Sequence, residues 1–522
     1  MISKTQLLFV ALTANLFGID QPVEISIAKP GDDLQAILDR GSDLYLEPGK
    51  VYPIHQTLRF VQPGQRISTL HPTRLNDYAR LVLAAPDIGQ LVNGMRLDGV
   101  VLEKVILDGN RYGLSYMDRI HGKPELVFFG GQGASRQIVR QCVFLNPRTW
   151  SALKVHEGGN EIVVEDNVFF GAGHDVRGNG REGREKPIIQ EHQTHYNWGD
   201  GISCAARNTT VRNNLIIDPT DVGIVFFGAP GSVAEGNVIA SISRESLGGI
   251  NLVDPLEFYA FEEEPSLIDY RGTTLRDNWI DARGARIHMA IPIGATPWVP
   301  SKKGFTLLGG AVQDNLITGG AAAYGIVVSG VRDWTINGNQ SKAQYSGIAE
   351  GLHRNPPDEP GPFLFEPEFV ENTVLQSDFK PAERHLKHLL RCNHLPRNPM
   401  GFRDYSYGSS EVQAVVETAF LEMLAREPSI EELLFFSDWL STTRTNADSL
   451  RRVLMGSPEF VLLRGAFNPQ DLQLFREKLW MKALSEAVGF VGDESWKTAA
   501  EIYTEAWEEI SLRSPLQQSP LQ

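Results

Sequence analysis

Two basic side chains, Lys154 and His156, lie two residues apart in the segment Ser151–His156, which reads SALKVH. In an extended strand alternate side chains share a face, so Lys154 and His156 would point one way and Leu153 and Val155 the other. A polysaccharide lyase removes the proton beside a uronic carboxylate and neutralises that carboxylate with a cation. Lys154 and His156 are therefore candidate bases. Three residues of the following long segment are candidate substrate clamps, although such charges also simply solubilise a loop: Arg177, His192 and His195.

Two aspartates offer a different chemistry, the hydrolysis of a glycosidic bond by paired carboxylates. Asp200 begins the sequence Asp-Gly-Ile, and Asp221 lies three residues before Ile224. The Asp-Gly-Ile sequence resembles a motif of polygalacturonase-like glycoside hydrolases, and Asp221 matches the first member of their Asp-Asp pair. Val222 replaces the second aspartate and Gly248 stands where that family has histidine. A polygalacturonase is therefore not expected, and both aspartates could instead cap turns.

Other polar and aromatic residues could bind substrate or metal. Asn251 and His288 are candidate substrate contacts from later strands, and the ring of Trp198 could stack on a sugar. Calcium is the metal that the acidic run Glu262–Glu264 would accommodate through oxygen ligands, although such loops are more often only solvated. The sequence indicates no other cofactor.

A repeat runs through the middle of the chain and positions these candidates. A polar residue, an asparagine and two or three apolar residues recur, and the asparagines are separated by 237 − 214 = 23 and 339 − 315 = 24 residues. A Gly-Ile pair recurs at the same interval, since 223 − 201 = 22. A period in the low twenties with short β-prone runs predicts a solenoid of strands. The asparagines are Asn167, Asn214, Asn237, Asn278 and Asn315, and more loosely Asn339 and Asn372.

The repeat predicts an all-β fold, a right-handed parallel β-helix with three short strands per coil. We expect the asparagines at one tight turn, in a left-handed conformation that asparagine tolerates, with hydrogen bonds from coil to coil. That role is structural, not catalytic. With Ile202, Ile224 and Ile250 directed inward, Ser203, Val225 and Asn251 would face outward.

Residues 27 to 379 resemble the pectate-lyase-like β-helix superfamily. The opening PGDDLQAIL from Pro30 and the sequence LYLEPG from Leu44 are similar to the capping helix and first coil of those proteins. The resemblance implies a polysaccharide groove along the first strand of each coil, walled here by insertions at 171–198, 254–270 and 296–304. It specifies the fold better than the activity.

Composition limits the partners. The net charge is 49 − 64 = −15, which opposes binding to nucleic acid or anionic membrane. The three cysteines are too few and scattered for a disulfide framework. An apolar run from Leu7 to Phe17 after Lys4 predicts a signal peptide over 1–22, with a buried first helix as the alternative. No later stretch is long enough to span a membrane. We therefore expect a secreted or cell-surface protein.

The end of the chain has a different pattern. The repeat stops near residue 379, residues 380–410 form a linker or cap, and 411–510 predict a helical domain with Val416 and Phe420 at helical spacing, followed by a flexible tail at 511–522. This part resembles small helical domains attached to secreted bacterial repeat proteins, which implies attachment or assembly. The whole chain is interpreted as a polysaccharide lyase or glycoside hydrolase, with a noncatalytic glycan-binding or adhesion protein as the alternative.

Overall fold

The computed structural model describes most of residues 27–382 and isolated positions between 415 and 454. Within 27–382 the description omits 74–76, 115–124, 149, 174–198, 242–245, 254–266, 283–286, 295–296, 298–304, 320–321, 344 and 346–359.

Three parallel sheets make up the described part of the chain. Sheet 1 contains β4 (Leu58–Arg59), β7 (Val92–Asn93), β10 (Val127–Gly130), β13 (Ser151–His156), β16 (Asp200–Cys204), β19 (Val222–Phe227), β22 (Ser246–Val253), β26 (Ile287–Ile293), β29 (Ala322–Val328), β32 (Phe363–Phe365) and β35 (Lys380–Pro381). Sheet 2 contains β1 (Ile27–Ala28), β2 (Leu44–Leu46), β5 (Arg66–Thr69), β8 (Val101–Glu103), β11 (Ile138–Arg140), β14 (Val163–Glu165), β17 (Thr210–Arg212), β20 (Val233–Glu235), β23 (Leu267–Asp269), β24 (Thr274–Arg276), β27 (Thr306–Gln313), β30 (Val331–Asn337), β33 (Val370–Glu371) and β34 (Val374–Leu375). Sheet 3 contains β3 (Val51–Ile54), β6 (Ala79–Leu83), β9 (Val105–Asp108), β12 (Val143–Leu145), β15 (Val168–Phe170), β18 (Leu215–Ile217), β21 (Val238–Ala240), β25 (Trp279–Ala282), β28 (Leu316–Gly319) and β31 (Gln340–Ser341).

Successive strands visit the three sheets in turn, so each circuit forms one coil stacked on the previous one. For example, β13, β14 and β15 belong to sheets 1, 2 and 3, and β16 returns to sheet 1 beside β13. This arrangement is a parallel β-helix, as the repeat predicts. Inward side chains from all three sheets form one continuous apolar core, to which a single coil contributes Leu153, Val164 and Phe169.

The asparagines of the repeat form a buried ladder between sheets 2 and 3. The side-chain oxygen of Asn237 accepts hydrogen bonds from the backbone N–H and Nδ2 of Asn214, at 3.0 and 2.9 Å. Its own Nδ2 donates to Val211 O and to Oδ1 of Asn278, both at 2.9 Å. The same pattern links Asn167, Asn214, Asn237, Asn278, Asn315 and Asn339. The predicted structural role of the series is confirmed.

Two details of the ladder differ from the sequence prediction. The left-handed residue is the one before each asparagine, for example Asp166 at φ 56° and Asp277 at φ 55°, because the ladder asparagine itself continues into the next strand. Asn372 is not in the ladder. Gln376 takes that place with the longer side chain, and its Oε1 accepts from the backbone N–H of Asn339 at 3.0 Å.

The described part of the chain also contains short helical elements. Helix α1 (Leu34–Asp39) begins at Asp33, whose side chain accepts the Ala36 N–H, and it confirms the predicted capping helix. Helix α2 (Arg111–Leu114) and a 3₁₀ turn at Pro367–Phe369 follow. Described residues of the C-terminal region are helical and share an apolar cluster containing Val416, Ala419, Phe420, Leu440, Leu450 and Leu454.

The outer face of sheet 2 is charged and solvated. Arg140 pairs with Glu103, Arg212 with Glu165 and Arg276 with Glu235, at 2.7, 2.6 and 2.5 Å between nitrogen and oxygen. Each pair joins neighbouring coils. Because the arginine side chains are 38–53% exposed, these pairs add little to stability.

Candidate functional site

The outer face of sheet 1 carries a straight row of outward side chains, named the outer row. Leu153 and Val155 lie in the core, so alternation directs Lys154 and His156 outward, as the sequence predicts. The strand register places Lys154 beside Ser203, Ser203 beside Val225, and Val225 beside Asn251. From β4 to β22 the outer row is Arg59, Asn93, Phe128, Lys154, Ser203, Val225 and Asn251, and the register continues it through Pro292, Val327 and Leu364.

Lys154 and His156 both lie beside the aromatic ring of Phe128. Lys154 Nζ lies 5.9 Å from the centroid of the Phe128 ring, and the His156 and Phe128 ring centroids are 5.3 Å apart. Lys154 Nζ also lies 3.8 Å from Glu125 Oε1, and His156 Nδ1 lies 2.7 Å from Glu157 Oε2. Each basic side chain therefore has a carboxylate neighbour.

The pairing of His156 affects its chemistry. The hydrogen bond with the Glu157 carboxylate outweighs partial burial and raises the pKa of His156. A raised pKa keeps the ring protonated to higher pH, so His156 is a poorer base at neutral pH than an isolated histidine.

Asp200 is buried on the same face. Its Oδ2 accepts a hydrogen bond from the Ser203 hydroxyl at 2.6 Å and lies 3.4 Å from the Ser151 hydroxyl. The two hydroxyls are 2.8 Å apart, and Asp200 Oδ1 accepts the backbone N–H of Val222 at 3.2 Å. Since Ser203 belongs to the outer row, this 3%-exposed carboxylate lies on the outer face and not in the core.

A second carboxylate, Glu125, shares a row with Asp200, and the sequence analysis missed it. Val127 pairs with Leu153, so Glu125 lies opposite Ser151, and the Leu126 N–H donates to Ser151 O at 3.1 Å. Ser151 in turn pairs with Asp200. We name Glu125, Ser151 and Asp200 the acid row. No motif marks Glu125 in the sequence, because its position follows only from the pairing of Val127 with Leu153.

Asn251 has an unusual environment. It is fully buried, and its Oδ1 and Nδ2 have no hydrogen-bond partner among the described residues. A side chain at Gly248 would collide with the amide, because a Cβ there would be 2.4 Å from Asn251 Oδ1. The neighbouring outward residues are apolar: Val222, Val225, Phe227 and Val253.

The outer face of sheet 1 has an open half and a shielded half. In the open half, on β4, β7, β10 and β13, Arg59 is exposed while Asn93, Phe128, Lys154 and His156 are partly exposed. In the shielded half, on β16, β19 and β22, the outer row is 0–3% exposed. The acid row lies where the two halves meet.

The remaining predicted site residues lie elsewhere. Val222 and Met289 lie opposite Gly248 in the neighbouring strands. Asp221 and His288 directly precede Val222 and Met289, so neither belongs to the outer row or to the acid row. Arg177, His192, His195 and Trp198 fall outside the described residues, as do the acidic loop considered for calcium and most of the three insertions. Among the described residues, no cluster of His, Cys, Asp or Glu is arranged to hold a metal ion.

Comparison with known proteins supports the fold. Residues 139–341 match the family model for the right handed beta helix region. The described residues of 27–382 have the fold of a right-handed parallel β-helix. A search of curated proteins finds no significant sequence match.

Solved structures give remote likenesses. They include a tailspike of E. coli bacteriophage HK620 in complex with a pentasaccharide (10% identity, 68% of this chain and 61% of the other, TM-score 0.45). A Family 28 exopolygalacturonase of Yersinia enterocolitica (11%, 67% and 75%, TM-score 0.37) and the adhesin PfbA of Streptococcus pneumoniae (10%, 69% and 96%, TM-score 0.38) are also similar. The chain spans only 61% of the HK620 tailspike and 62% of a second one, the Dettilon tailspike protein (15% identity, 59% of this chain, TM-score 0.35). Likenesses this remote do not transfer an activity.

None of the helices in the described part of the chain has the length and hydropathy needed to cross a bilayer.

Proposed function

We propose that the chain hydrolyses a polysaccharide bound along the outer face of sheet 1, and that Glu125 and Asp200 supply the acid and the base. The observation that carries the proposal is the acid row: two carboxylates at the same register, two strands apart, with Lys154 beside Glu125. Glycoside hydrolases act through such a pair, one group protonating the leaving oxygen and the other activating water or attacking the sugar.

The strand spacing indicates the stereochemistry. Strands in a sheet are ~4.8 Å apart, so two steps place the backbones of Glu125 and Asp200 about 9 to 10 Å apart. When both side chains lean in the same direction, their carboxyl groups stay about as far apart as the backbones. This separation is near the ~6.5–9.5 Å of inverting enzymes, which leaves room for a water, and it exceeds the ~5–5.5 Å of retaining enzymes. Inversion is the expected outcome.

The open half of the face suits an approaching glycan. Phe128 offers a ring face for a sugar, and Lys154 and His156 beside it offer hydrogen-bond donors. A lyase is less well supported, because the two basic side chains already have carboxylate partners in Glu125 and Glu157 and a base must be able to take up a proton.

A screen of polysaccharides tests the function. Purified protein is incubated with uronate-containing and neutral polysaccharides, and both reducing ends and the absorbance of unsaturated ends are recorded. Hydrolysis releases reducing ends without unsaturation. Unsaturated ends would favour a lyase, and binding without cleavage would favour a noncatalytic glycan-binding protein.

Three variants test the residues. Glu125→Gln and Asp200→Asn should each lower the cleavage rate by about 10²–10⁴-fold, because an amide neither donates nor accepts the catalytic proton. Asp281→Asn is the matched control, since Asp281 is also buried and accepts a hydroxyl hydrogen bond, from Thr318, but lies on sheet 3. Full activity in both acid-row variants would exclude this pair from the mechanism.

We propose secretion directed by residues 1–22, a β-helix domain at 23–379, and a helical domain at 411–510 that attaches the protein to a surface or partner. A chain ending at residue 379 should then fold and keep the polysaccharide activity. Insolubility of that shorter chain beside a soluble full chain would contradict independent domains.

A further inference from the structure

The outer face of sheet 1 is open on one side of the acid row and closed on the other. In the open half the outer row runs from Arg59 to Lys154, three strand steps or about 14 Å at ~4.8 Å per step. On the other side the shielding continues past β22 over β26, β29 and β32. Between β16 and β32 every residue of the outer row is buried: Ser203, Val225, Asn251, Pro292, Val327 and Leu364. A bound glycan can therefore continue from the acid row in one direction only, toward β4.

The closed side begins directly beyond Asp200. The Val222 backbone N–H donates to Asp200 Oδ1 at 3.2 Å, and the Val222 side chain packs with Val225 and Val253 in an apolar cluster that is 2–3% exposed. These packed side chains leave no space for a sugar ring. The bond that breaks lies between the two carboxylates, at the level of Ser151 and one strand step of ~4.8 Å from Asp200. That depth accommodates one sugar, so the glycan ends there.

The hydrogen bonds of the acid row assign the roles of its two carboxylates. Asp200 accepts the Ser203 hydroxyl at 2.6 Å and the Val222 N–H at 3.2 Å, and such donors favour an ionised carboxylate. Lys154 Nζ is 3.8 Å from Glu125 Oε1, which is beyond hydrogen-bond distance. Asp200 is therefore the better stabilised anion and suits the base that activates water, and Glu125 suits the acid that protonates the leaving oxygen.

We infer that the protein removes single sugars from the nonreducing end of its polysaccharide. Since Glu125 lies toward the open half, the leaving part of the glycan lies over Lys154, Phe128 and Arg59, and the terminal sugar occupies the closed end at Asp200. Water bonds to the anomeric carbon of that sugar and gives a proton to Asp200, while the bond to the glycosidic oxygen breaks and this oxygen takes the proton of Glu125. The inference rests on the proposed function and specifies which part of the polysaccharide the site accepts.

A label at the reducing end distinguishes the ways of cutting. Oligosaccharides of defined length, prepared from the polysaccharide that the protein cleaves, are tagged with a fluorophore at the reducing end, and the products are separated by electrophoresis. The first tagged product should be one sugar shorter than the substrate, with untagged monosaccharide released at the same rate. Tagged fragments of many lengths at the first time point, or early release of the tagged sugar itself, would overturn the inference and leave the hydrolase intact.

Arg59→Ala tests the direction of binding without altering the acid row. Arg59 is exposed on β4, three strand steps from Lys154, so only a glycan that extends over the open half reaches it. The KM for a long oligosaccharide should rise about tenfold, as for the loss of one hydrogen bond to a charged group, and the KM for a disaccharide should rise much less. Arg276→Ala, at an exposed arginine on sheet 2, is the matched control and should change neither value.

The outcomes separate the two proposals. An equal change of KM for long and short substrates in Arg59→Ala overturns the placement of the glycan over the open half, while cleavage itself still supports the hydrolase. Absence of both binding and cleavage of every polysaccharide overturns the hydrolase and the inference together.

Discussion

Two kinds of buried asparagine lie in the same coils of this protein and have opposite environments. In the ladder, Asn237 makes four side-chain hydrogen bonds with Asn214, Val211 and Asn278. On the outer face of sheet 1, Asn251 is equally buried, but its side chain makes no hydrogen bond within the part of the chain that the structure describes. A buried polar group costs free energy unless it is paired, so the ladder asparagines stabilise the coil stack and Asn251 does not. Residue type and burial are therefore alike for the two asparagines, and hydrogen-bond pairing distinguishes them.

The largest expected effect lies in the ladder. Asn237→Ala removes four hydrogen bonds, so buried polar atoms of Asn214, Val211 and Asn278 lose a partner. We therefore expect a loss of about 3–5 kcal/mol in the free energy of unfolding. Urea unfolding followed by circular dichroism measures it. A loss no greater than that of the exposed Asn337→Ala would contradict the structural role of the ladder.

Asn251→Leu should have the opposite sign. A leucine of similar size replaces an unpaired amide beside Val225, so the free energy of unfolding should rise by about 1 kcal/mol. Thermal unfolding of the free protein measures the change. A clear loss of stability would show that the Asn251 amide is already paired in the free protein, and the contrast with the ladder would disappear.

A smaller effect concerns pH. The folded pKa of His156 is raised above its ordinary value by Glu157, so its stabilising contribution is complete below the unfolded pKa of ~6.5 and disappears as pH rises through the folded pKa. For this partly exposed pair we expect about 0.5 kcal/mol or less. NMR titration should find a lower His156 pKa in Glu157→Gln. An unchanged His156 pKa in this variant would contradict the pairing of His156 with Glu157.

The smallest effect lies on sheet 2. Arg212→Ala breaks an exposed pair with Glu165 and should change the free energy of unfolding by about 0.5 kcal/mol or less. Polysaccharide cleavage should not change, because sheet 2 is not the binding face. Lost cleavage in this variant would contradict the assignment of the site to sheet 1.

The sequence predicts the coil stack well and the site only in part. The ladder asparagines must lie one above another to bond, so their spacing reports the coil directly, and the outward direction of Lys154 follows from strand alternation. Glu125 could not be predicted, because its position depends on the pairing of Val127 with Leu153 after a long segment without the repeat. The partners of Asp200 also depend on register, since Ser151 is 49 residues away in the chain. The left-handed residue before each asparagine was missed because aspartate and glycine adopt that conformation as readily as asparagine.

The anomeric form of the first product tests the central claim, that Glu125 and Asp200 act as a widely spaced carboxylate pair on sheet 1. The unchanged protein is mixed with the polysaccharide that it cleaves, and the new reducing ends are followed by proton NMR before they equilibrate. The strand spacing predicts products of inverted configuration. Products of retained configuration would contradict the pair.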